Sequence, residues 1–167
     1  MRLREPAAAL ALALATGAVS AQLAADHPDW KEGQVPPPPA FSPDKLVALD
    51  AAASSALSFG IDPATVAIGK EGVVRYVVVA SSRSGAMNAM YEGIRCATGE
   101  VKVYARFTPD SGWHAVRDPD WKSLYAPSPS RHSLGIARAG VCKGNAPNQS
   151  VEHILRDLRA TPARKFE

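Results

Sequence analysis

Long apolar segments, cysteines and a strong charge of one sign are all scarce in this chain of 167 residues. Its main apolar stretch, residues 7–18, is shorter than the about 20 residues that a membrane-spanning helix needs, and no later segment approaches that length. Nineteen basic residues oppose 16 acidic ones, which gives a net charge of only +3. The sequence therefore predicts no membrane-spanning helix and no nucleic-acid partner.

Motifs that would indicate a particular reaction are missing as well. The sequence has no Gly-x-Ser-x-Gly nucleophile turn, no glycine-rich phosphate loop and no Cys-x-x-Cys pair. The four histidines, His27, His114, His132 and His153, lie far apart and share no metal-ligand spacing with cysteines or carboxylates. We therefore expect no metal and no cofactor, and we assign no catalytic residue.

The first 21 residues have the pattern of a cleaved signal peptide. Arg2 and Arg4 precede the apolar stretch 7–18, and Val-Ser-Ala at 19–21 supplies the small residues that a signal peptidase accepts. We expect cleavage after Ala21 and export to the periplasm. The residue directly after this site is Gln22 and not a cysteine that could carry a lipid, so we expect no membrane anchor.

The predicted mature chain, residues 22–167, carries its charges unevenly. Residues 22–71 contain three lysines and seven acidic residues, whereas residues 72–167 contain 14 basic and eight acidic residues. This asymmetry can steer an anionic partner toward the C-terminal half. The alternative is that the two halves attract each other or are simply solvated.

Cys96 and Cys142 are the only two cysteines. In an oxidising compartment, such an isolated pair is most simply a disulfide. Joining two positions 46 residues apart removes at most about 4 kcal/mol of denatured-state entropy in the loop-closure model. The alternative, a redox-active pair, lacks the close spacing that lowers a thiol pKa.

The mature chain divides into an N-terminal arm, residues 22–43, and a single domain, residues 44–167. Four consecutive prolines at 36–39 favour an extended polyproline conformation. Such a segment acts as a spacer or strap, or as a ligand for an aromatic groove. We expect Trp30 to dock on the body of the domain, because a tryptophan in an arm needs somewhere to bury its ring.

Strand patterns dominate the first part of the domain. The strongest strand is predicted at residues 73–79, where β-branched and aromatic residues occupy both faces, as in a central strand. With the segments at 90–96 and 101–107 it predicts an antiparallel meander. Shorter strands are predicted at residues 46–49, 56–61, 65–68 and 112–116, although residues 51–56 leave a helix possible.

Helix signals appear only toward the C-terminus. Asp-Pro-Asp-Trp at 118–121 is typical of a helix N-terminus, because proline suits the first turn. Ser150 is predicted to cap a last helix over residues 151–159, whose apolar residues form one stripe. The chain is therefore predicted to be an α+β protein, an antiparallel sheet with helices toward the C-terminus.

The central strands carry several short motifs: Val-Val-Arg-Tyr at 73–76, Ser-Gly-Ala-Met-Asn at 84–88, Tyr-Glu-Gly-Ile-Arg-Cys at 91–96, Tyr-Ala at 104–105 and Trp113. In these motifs the chain resembles the cryptic neisserial protein-like family of bacterial envelope proteins, over about residues 30–142. This resemblance implies a periplasmic setting. Some members look like lipoproteins, and this chain differs from them in lacking a cysteine after the cleavage site. The resemblance brings no reaction and no catalytic residues.

One group of polar residues interrupts the apolar strands: Arg75, Tyr91, Glu92 and Arg95. As a binding patch, these residues would hold a carboxylate or a phosphate on the sheet. Alternatively, Arg75 and Glu92 form a cross-strand salt bridge, because facing opposite charges stabilise antiparallel pairs. The hairpin register decides whether Arg75 shares a face with Glu92 or with Tyr91 and Arg95.

Two functions remain open. In the first, the protein is a non-catalytic module of the bacterial cell envelope that binds an envelope protein or an anionic envelope component through the sheet and the arm. In the second, it is a small periplasmic hydrolase with an unrecognised site. A deep pocket with convergent titratable groups favours the hydrolase. A shallow apolar patch or an open sheet edge favours the binding module.

Overall fold

The computed structural model describes residues 29–49, 56–127 and 131–160. The predicted signal peptide and the first seven residues of the arm lie outside these ranges. Ten strands and two α-helices are described: β1 (Val47–Leu49), β2 (Leu57–Ile61), β3 (Ala67–Ile68), β4 (Val73–Ser82), β5 (Met87–Arg95), β6 (Glu100–Thr108), β7 (Gly112–Ala115), β8 (Lys122–Ser123), α1 (His132–Ile136), β9 (Cys142–Lys143), β10 (Ala146–Pro147) and α2 (Val151–Ala160). None of the described helices is long and apolar enough to cross a membrane.

The predicted antiparallel meander is confirmed and lies within a larger sheet. Its strands run in the order β1-β2-β4-β5-β6-β7, while β3 also pairs with β4 and β8 with β6. Every one of these pairings is antiparallel. Strand β4 is central, as its composition predicts, and its first eight residues are all buried. Its apolar side chains contribute to both faces because successive residues of a strand point in opposite directions.

One face of the sheet, here called the helix face, packs against the C-terminal helices. Val74, Tyr76 and Val78 of β4 join Ile94 of β5 in this core, together with residues of both helices. The predicted last helix is confirmed as α2, and Ser150 Oγ accepts a hydrogen bond from His153 N at 3.2 Å. Ile154 and Leu158 of that helix are fully buried, as expected for its apolar stripe.

The opposite face, here called the arm face, is covered by the N-terminal arm. Val35 and Phe41 of the arm pack against a cluster that includes Val77 and Tyr91. The Phe41 ring also meets Phe107 edge-on, with centroids 5.0 Å apart. The described part of the arm therefore acts as a strap that closes one side of the sheet.

The predicted disulfide is present between Cys96 and Cys142, whose Cα atoms lie 5.7 Å apart. It joins the end of β5 to the short hairpin of β9 and β10. Because that hairpin precedes α2, the disulfide holds the last helix close to the sheet. The disulfide therefore tethers Cys142 against the end of β5.

The prediction of a helix beginning at residues 118–121 is wrong. Asp118 has a φ of 48°, a left-handed conformation that cannot begin a right-handed helix. Trp121 packs edge-on against Trp30 of the arm, with centroids 6.0 Å apart, and the next two residues pair with β6. These tertiary contacts override the local signal, and the first described α-helix is α1.

Candidate functional site

The register of β4 and β5 divides the predicted polar patch between the two faces. Arg75 pairs with Gly93, and Tyr76 pairs with Glu92. Arg75 consequently shares the arm face with Tyr91 and Arg95, whereas Glu92 points to the helix face. The predicted alternative of an Arg75–Glu92 salt bridge is therefore wrong, because the two side chains lie on opposite sides of the sheet.

On the arm face, Arg75 is buried and paired with two carboxylates. Its Nη2 lies 2.6 Å from Glu71 Oε1 and 3.3 Å from Glu32 Oε1. Burial opposes the charge of Arg75, but the hydrogen bond with Glu71 and the nearby negative charges outweigh it, so the pKa of Arg75 is raised. Only 4% of Arg75 is exposed, so its charge is directed to these carboxylates rather than to solvent, and its pairing with Glu32 helps to hold the arm on the sheet.

Glu32 is the residue of the arm that collects most of these contacts. Besides Arg75, it accepts hydrogen bonds from Lys102 Nζ at 2.7 Å and from the Tyr104 hydroxyl at 2.5 Å. Burial pushes the pKa of Glu32 upward, but the hydrogen bonds from Lys102 and Tyr104 and the nearby positive charges lower it overall. The carboxylate of Glu32 thus attaches the arm to Arg75 of β4 and to Lys102 and Tyr104 of β6.

Trp30 forms the second attachment of the arm, which confirms that it docks on the domain. Its Nε1 donates a hydrogen bond to the Glu71 carbonyl oxygen at 3.0 Å. The guanidinium carbon of Arg95 lies 3.8 Å from the Trp30 ring centroid, a cation–π contact. Arg95 also approaches Glu100, with Nη1 3.7 Å from Oε2. Arg95 is therefore part of the arm attachment.

Gly93, in the Tyr-Glu-Gly-Ile-Arg-Cys segment, makes room for this arrangement. A Cβ at Gly93 would lie 2.6 Å from the Tyr104 hydroxyl oxygen and 2.9 Å from Val73 Cγ1. The register between β5 and β6 shifts beside Glu92, so that Tyr104 is the extra residue of a bulge. The bulge and the missing side chain together let Tyr104 cross the strand and reach Glu32.

On the helix face, Glu92 is the centre of a buried polar cluster. Tyr76 Oη and Ser133 Oγ donate hydrogen bonds to Glu92 Oε2 at 3.1 and 3.2 Å, and His132 Nε2 lies 2.9 Å from Oε1. All four residues are at least 97% buried. Burial and the neighbouring Glu92 carboxylate raise the pKa of Tyr76 well above its usual value.

Sequence reasoning found Glu92 but missed its partners. A carboxylate inside an apolar strand indicates that a partner exists, yet His132 lies 40 residues away in the sequence. No local pattern links the two positions, and His132 follows a segment without a helix signal. Its imidazole stacks on the Phe59 ring at 4.8 Å, a contact that only the packing of α1 on the sheet creates.

A cavity of about 680 Å³ opens beside this cluster, between the helix face and the chain leading into and beyond β8. Glu92 and Ser133 form part of its wall, and Val101, Val103 and Leu124 supply apolar surface. Its volume lies within the range typical of small-molecule sites. The remaining charged residues of the lining are Arg106, Arg117, Asp118, Asp120 and Lys122.

A second, smaller groove of about 290 Å³ runs along the same side of the sheet. Its lining is mostly apolar and includes Leu57, Phe59 and Met90. His132 borders this groove, while its neighbour Ser133 borders the larger cavity. In residues 29–49, 56–127 and 131–160, no cluster of three or more histidine, cysteine or acidic side chains is arranged to hold a metal ion.

These features define an α+β domain whose antiparallel sheet is closed by helices on one face and by an N-terminal strap on the other. The chain belongs to the CNP1-like family, whose family model matches residues 25–159. This assignment confirms the resemblance carried by the central strands. No curated protein and no solved structure shows significant similarity to the chain.

Proposed function

We propose that this member of the CNP1-like family is an exported periplasmic protein of the bacterial cell envelope that acts by binding, without catalysis. Its partner is an anionic envelope component or an envelope protein that carries one. The disulfide supports an oxidising compartment, because such bonds persist outside the cytosol. The signal-peptide pattern of residues 1–21 supports the same location.

The hydrogen bonding of the Glu92 cluster carries the non-catalytic part of the proposal. A serine nucleophile needs its hydroxyl directed at a base, and the base needs a third group that orients it. Here Ser133 and His132 both contact Glu92, and no hydrogen bond between Ser133 and His132 is found in the described parts of the chain. The cluster therefore joins α1 to the sheet, and its described hydrogen bonds direct Ser133 to Glu92 rather than to a histidine, unlike a serine–histidine catalytic triad.

The closure of the arm face decides which surface is left for binding. Arg75 and Tyr91 are buried beneath the arm, and Arg95 lies against Trp30. The exposed cations beside the cavity on the helix face, Arg106, Arg117 and Lys122, are not in ion pairs with any residue the structure describes. An anionic partner therefore finds its complementary charge on that side.

Export is tested by intact-mass spectrometry of the protein recovered from the periplasm. The expected species begins at Gln22 and has the mass of an unmodified chain less two hydrogens for the disulfide. A chain that still begins at Met1, or that carries a lipid, would contradict the proposed location and processing.

A hydrolase is the second candidate, because the cavity brings Ser133 and several titratable groups to one place. It would require Ser133 to turn from Glu92 toward His132. The test compares the wild-type chain with Ser133→Ala on a panel of chromogenic esters and peptides. Turnover above the buffer rate that is lost in Ser133→Ala would establish the hydrolase and end the binding proposal. Equal background rates in both proteins are the expected result.

A further inference from the structure

Arg106 connects the cavity and the apolar groove on the helix face. It lines both spaces, and its side chain is exposed. It pairs with Met90 in the register of β5 and β6, which places it where the groove meets the cavity. Within the described chain it belongs to no ion pair, so its guanidinium is available to a ligand.

The groove on one side of Arg106 suits a hydrocarbon chain. Leu57 is 40% exposed there, a large fraction for a leucine on a sheet. Phe59 and Met90 continue the apolar surface, and the His132 ring, stacked on Phe59, closes its inner end. Burying this surface under an apolar ligand is favourable because it removes apolar area from water.

The cavity on the other side of Arg106 suits a charged headgroup. Arg117 and Lys122 add two further cations to its rim, against the two exposed carboxylates of Asp118 and Asp120. The exposed rim thus carries a net charge of +1, and the buried Glu92 carboxylate in the inner wall brings the acidic side chains of the lining to three, equal to its cations. Arginine favours a carboxylate in such a position because its planar guanidinium can donate two parallel hydrogen bonds.

We propose that the groove and the cavity form one binding site for a fatty carboxylate. The carboxylate lies at Arg106, and the acyl chain lies along Leu57, Phe59 and Met90. This inference rests on the proposed binding function and names its ligand class. It also explains why apolar side chains and an arginine outside every described ion pair are left exposed side by side while the arm face is sealed.

Isothermal titration calorimetry on the periplasmic, disulfide-bonded chain tests the site with octanoate, decanoate and the cationic amphiphile decyltrimethylammonium. Decanoate is expected to bind about 15-fold more tightly than octanoate, since each buried methylene contributes about fourfold. The cationic amphiphile is expected to bind at least tenfold more weakly than decanoate, because it places a positive charge at Arg106. Equal affinities for the anionic and cationic amphiphiles would overturn the proposal.

Arg106→Gln identifies the headgroup contact, and Arg138→Gln is the matched control. Arg138 is also an exposed arginine, and it lines neither the groove nor the larger cavity. Arg106→Gln should weaken decanoate binding about ten- to a hundredfold and leave the melting temperature unchanged. Arg138→Gln should bind like the wild type. Unchanged decanoate affinity in Arg106→Gln would place the ligand elsewhere and refute the site.

The failure of this inference can be told apart from failure of the proposed function. If no decanoate binds and p-nitrophenyl decanoate is not hydrolysed, the proposed ligand class is wrong, but the proposed non-catalytic function still stands. If p-nitrophenyl decanoate is hydrolysed and Ser133→Ala abolishes this, the non-catalytic function itself is wrong. In that case the groove is a substrate site and the binding proposal is withdrawn.

Discussion

Replacing Glu32 by glutamine measures how much the arm contributes to the stability of the whole domain. The substitution keeps the shape of the side chain and removes its charge. The hydrogen bonds that Oε1 accepts from Arg75 and Tyr104 would lose the contribution of the Glu32 charge. The new amide NH₂ group would replace Oε2, so it could not accept the hydrogen bond from Lys102 Nζ, which is also a donor. Only 16% of the Glu32 side chain is exposed, so water replaces these contacts poorly.

The expected loss follows from the kind of bond removed. Hydrogen bonds to charged groups contribute about 1.5–3 kcal/mol each to the free energy of unfolding. Only part of this stabilisation is lost in Glu32→Gln, because Arg75 keeps its ion pair with Glu71. We expect the free energy of unfolding to fall by about 2 kcal/mol. For a chain of this size, that corresponds to a melting temperature lower by about 4–8 °C.

The assay is thermal and urea unfolding of the mature protein, followed by tryptophan fluorescence and far-ultraviolet circular dichroism. Trp30 lies in the arm, and the other two tryptophans, Trp121 and Trp113, pack against Trp30 and Phe41 of the arm, so fluorescence reports arm release, while circular dichroism reports the sheet. Asp110→Asn, at an exposed position in the turn between β6 and β7, is the matched control and should leave both transitions in place. A loss below about 0.5 kcal/mol, the usual size of a surface substitution, would refute the reasoning.

The effect should also depend on pH with a definite sign. The pKa of Glu32 is lowered from 4.5 in the folded state, so its stabilising contribution is present above pH 4.5. That contribution is lost as the pH falls through the lower, folded-state pKa. The stability curves of the wild type and Glu32→Gln should therefore differ near neutral pH and converge in acid. Parallel curves down to the lowest accessible pH would argue against the ion cluster.

Three further predictions concern other parts of the fold. Reducing the disulfide, or replacing Cys96 and Cys142 by alanine, should lower the free energy of unfolding by up to about 4 kcal/mol; an unchanged urea midpoint would show that the disulfide adds no stability. Gly93→Ala should cost about 1–3 kcal/mol, because its Cβ would press on the Tyr104 hydroxyl, and wild-type stability in urea would contradict that close contact. Asp157 contacts a lysine, an asparagine and an arginine, which lower its pKa, so it should titrate with a pKa of about 2 in an NMR experiment. Its contribution to folding stability is present above pH 3.8 and is lost as the pH falls toward 2. A titration near 3.8 would contradict these contacts.

Much of the fold could be predicted because its signals are local. The apolar residues at 73–79 indicate a central strand whatever its neighbours, and Ser150 before an apolar stripe indicates a helix start. The helix prediction at residues 118–121 failed because the preference of an Asp-Pro start for a helix is weaker than the tertiary contacts of this segment. The packing of Trp121 on Trp30 and the pairing of β8 with β6 decided its conformation.

The candidate site was only half visible in the sequence. Arg75, Glu92 and Arg95 stood out as charged residues in apolar strands, and the rule that buried charges need partners holds for all three. Glu71 and Glu100 are near Arg75 and Arg95 in the sequence, but the contacts with Glu32 of the arm and with His132 of α1 join residues 40 or more positions apart. The groove beside Arg106 could not be predicted from the sequence, because its walls come from several strands and from α1, which only the tertiary fold brings together.

The sequence by itself determined the sheet-forming segments, the last helix, the pairing of its two cysteines and the family to which the chain belongs. The strands, the helix and the family follow from periodicity, capping and short motifs, which act within a few residues, and the pairing follows from the presence of only two cysteines. Only the tertiary structure decided which face each charged residue occupies, since a shift of one residue in register reverses every side chain of a strand. It also decided that the arm seals one face of the sheet and that a cavity opens on the other, because both depend on contacts between distant segments.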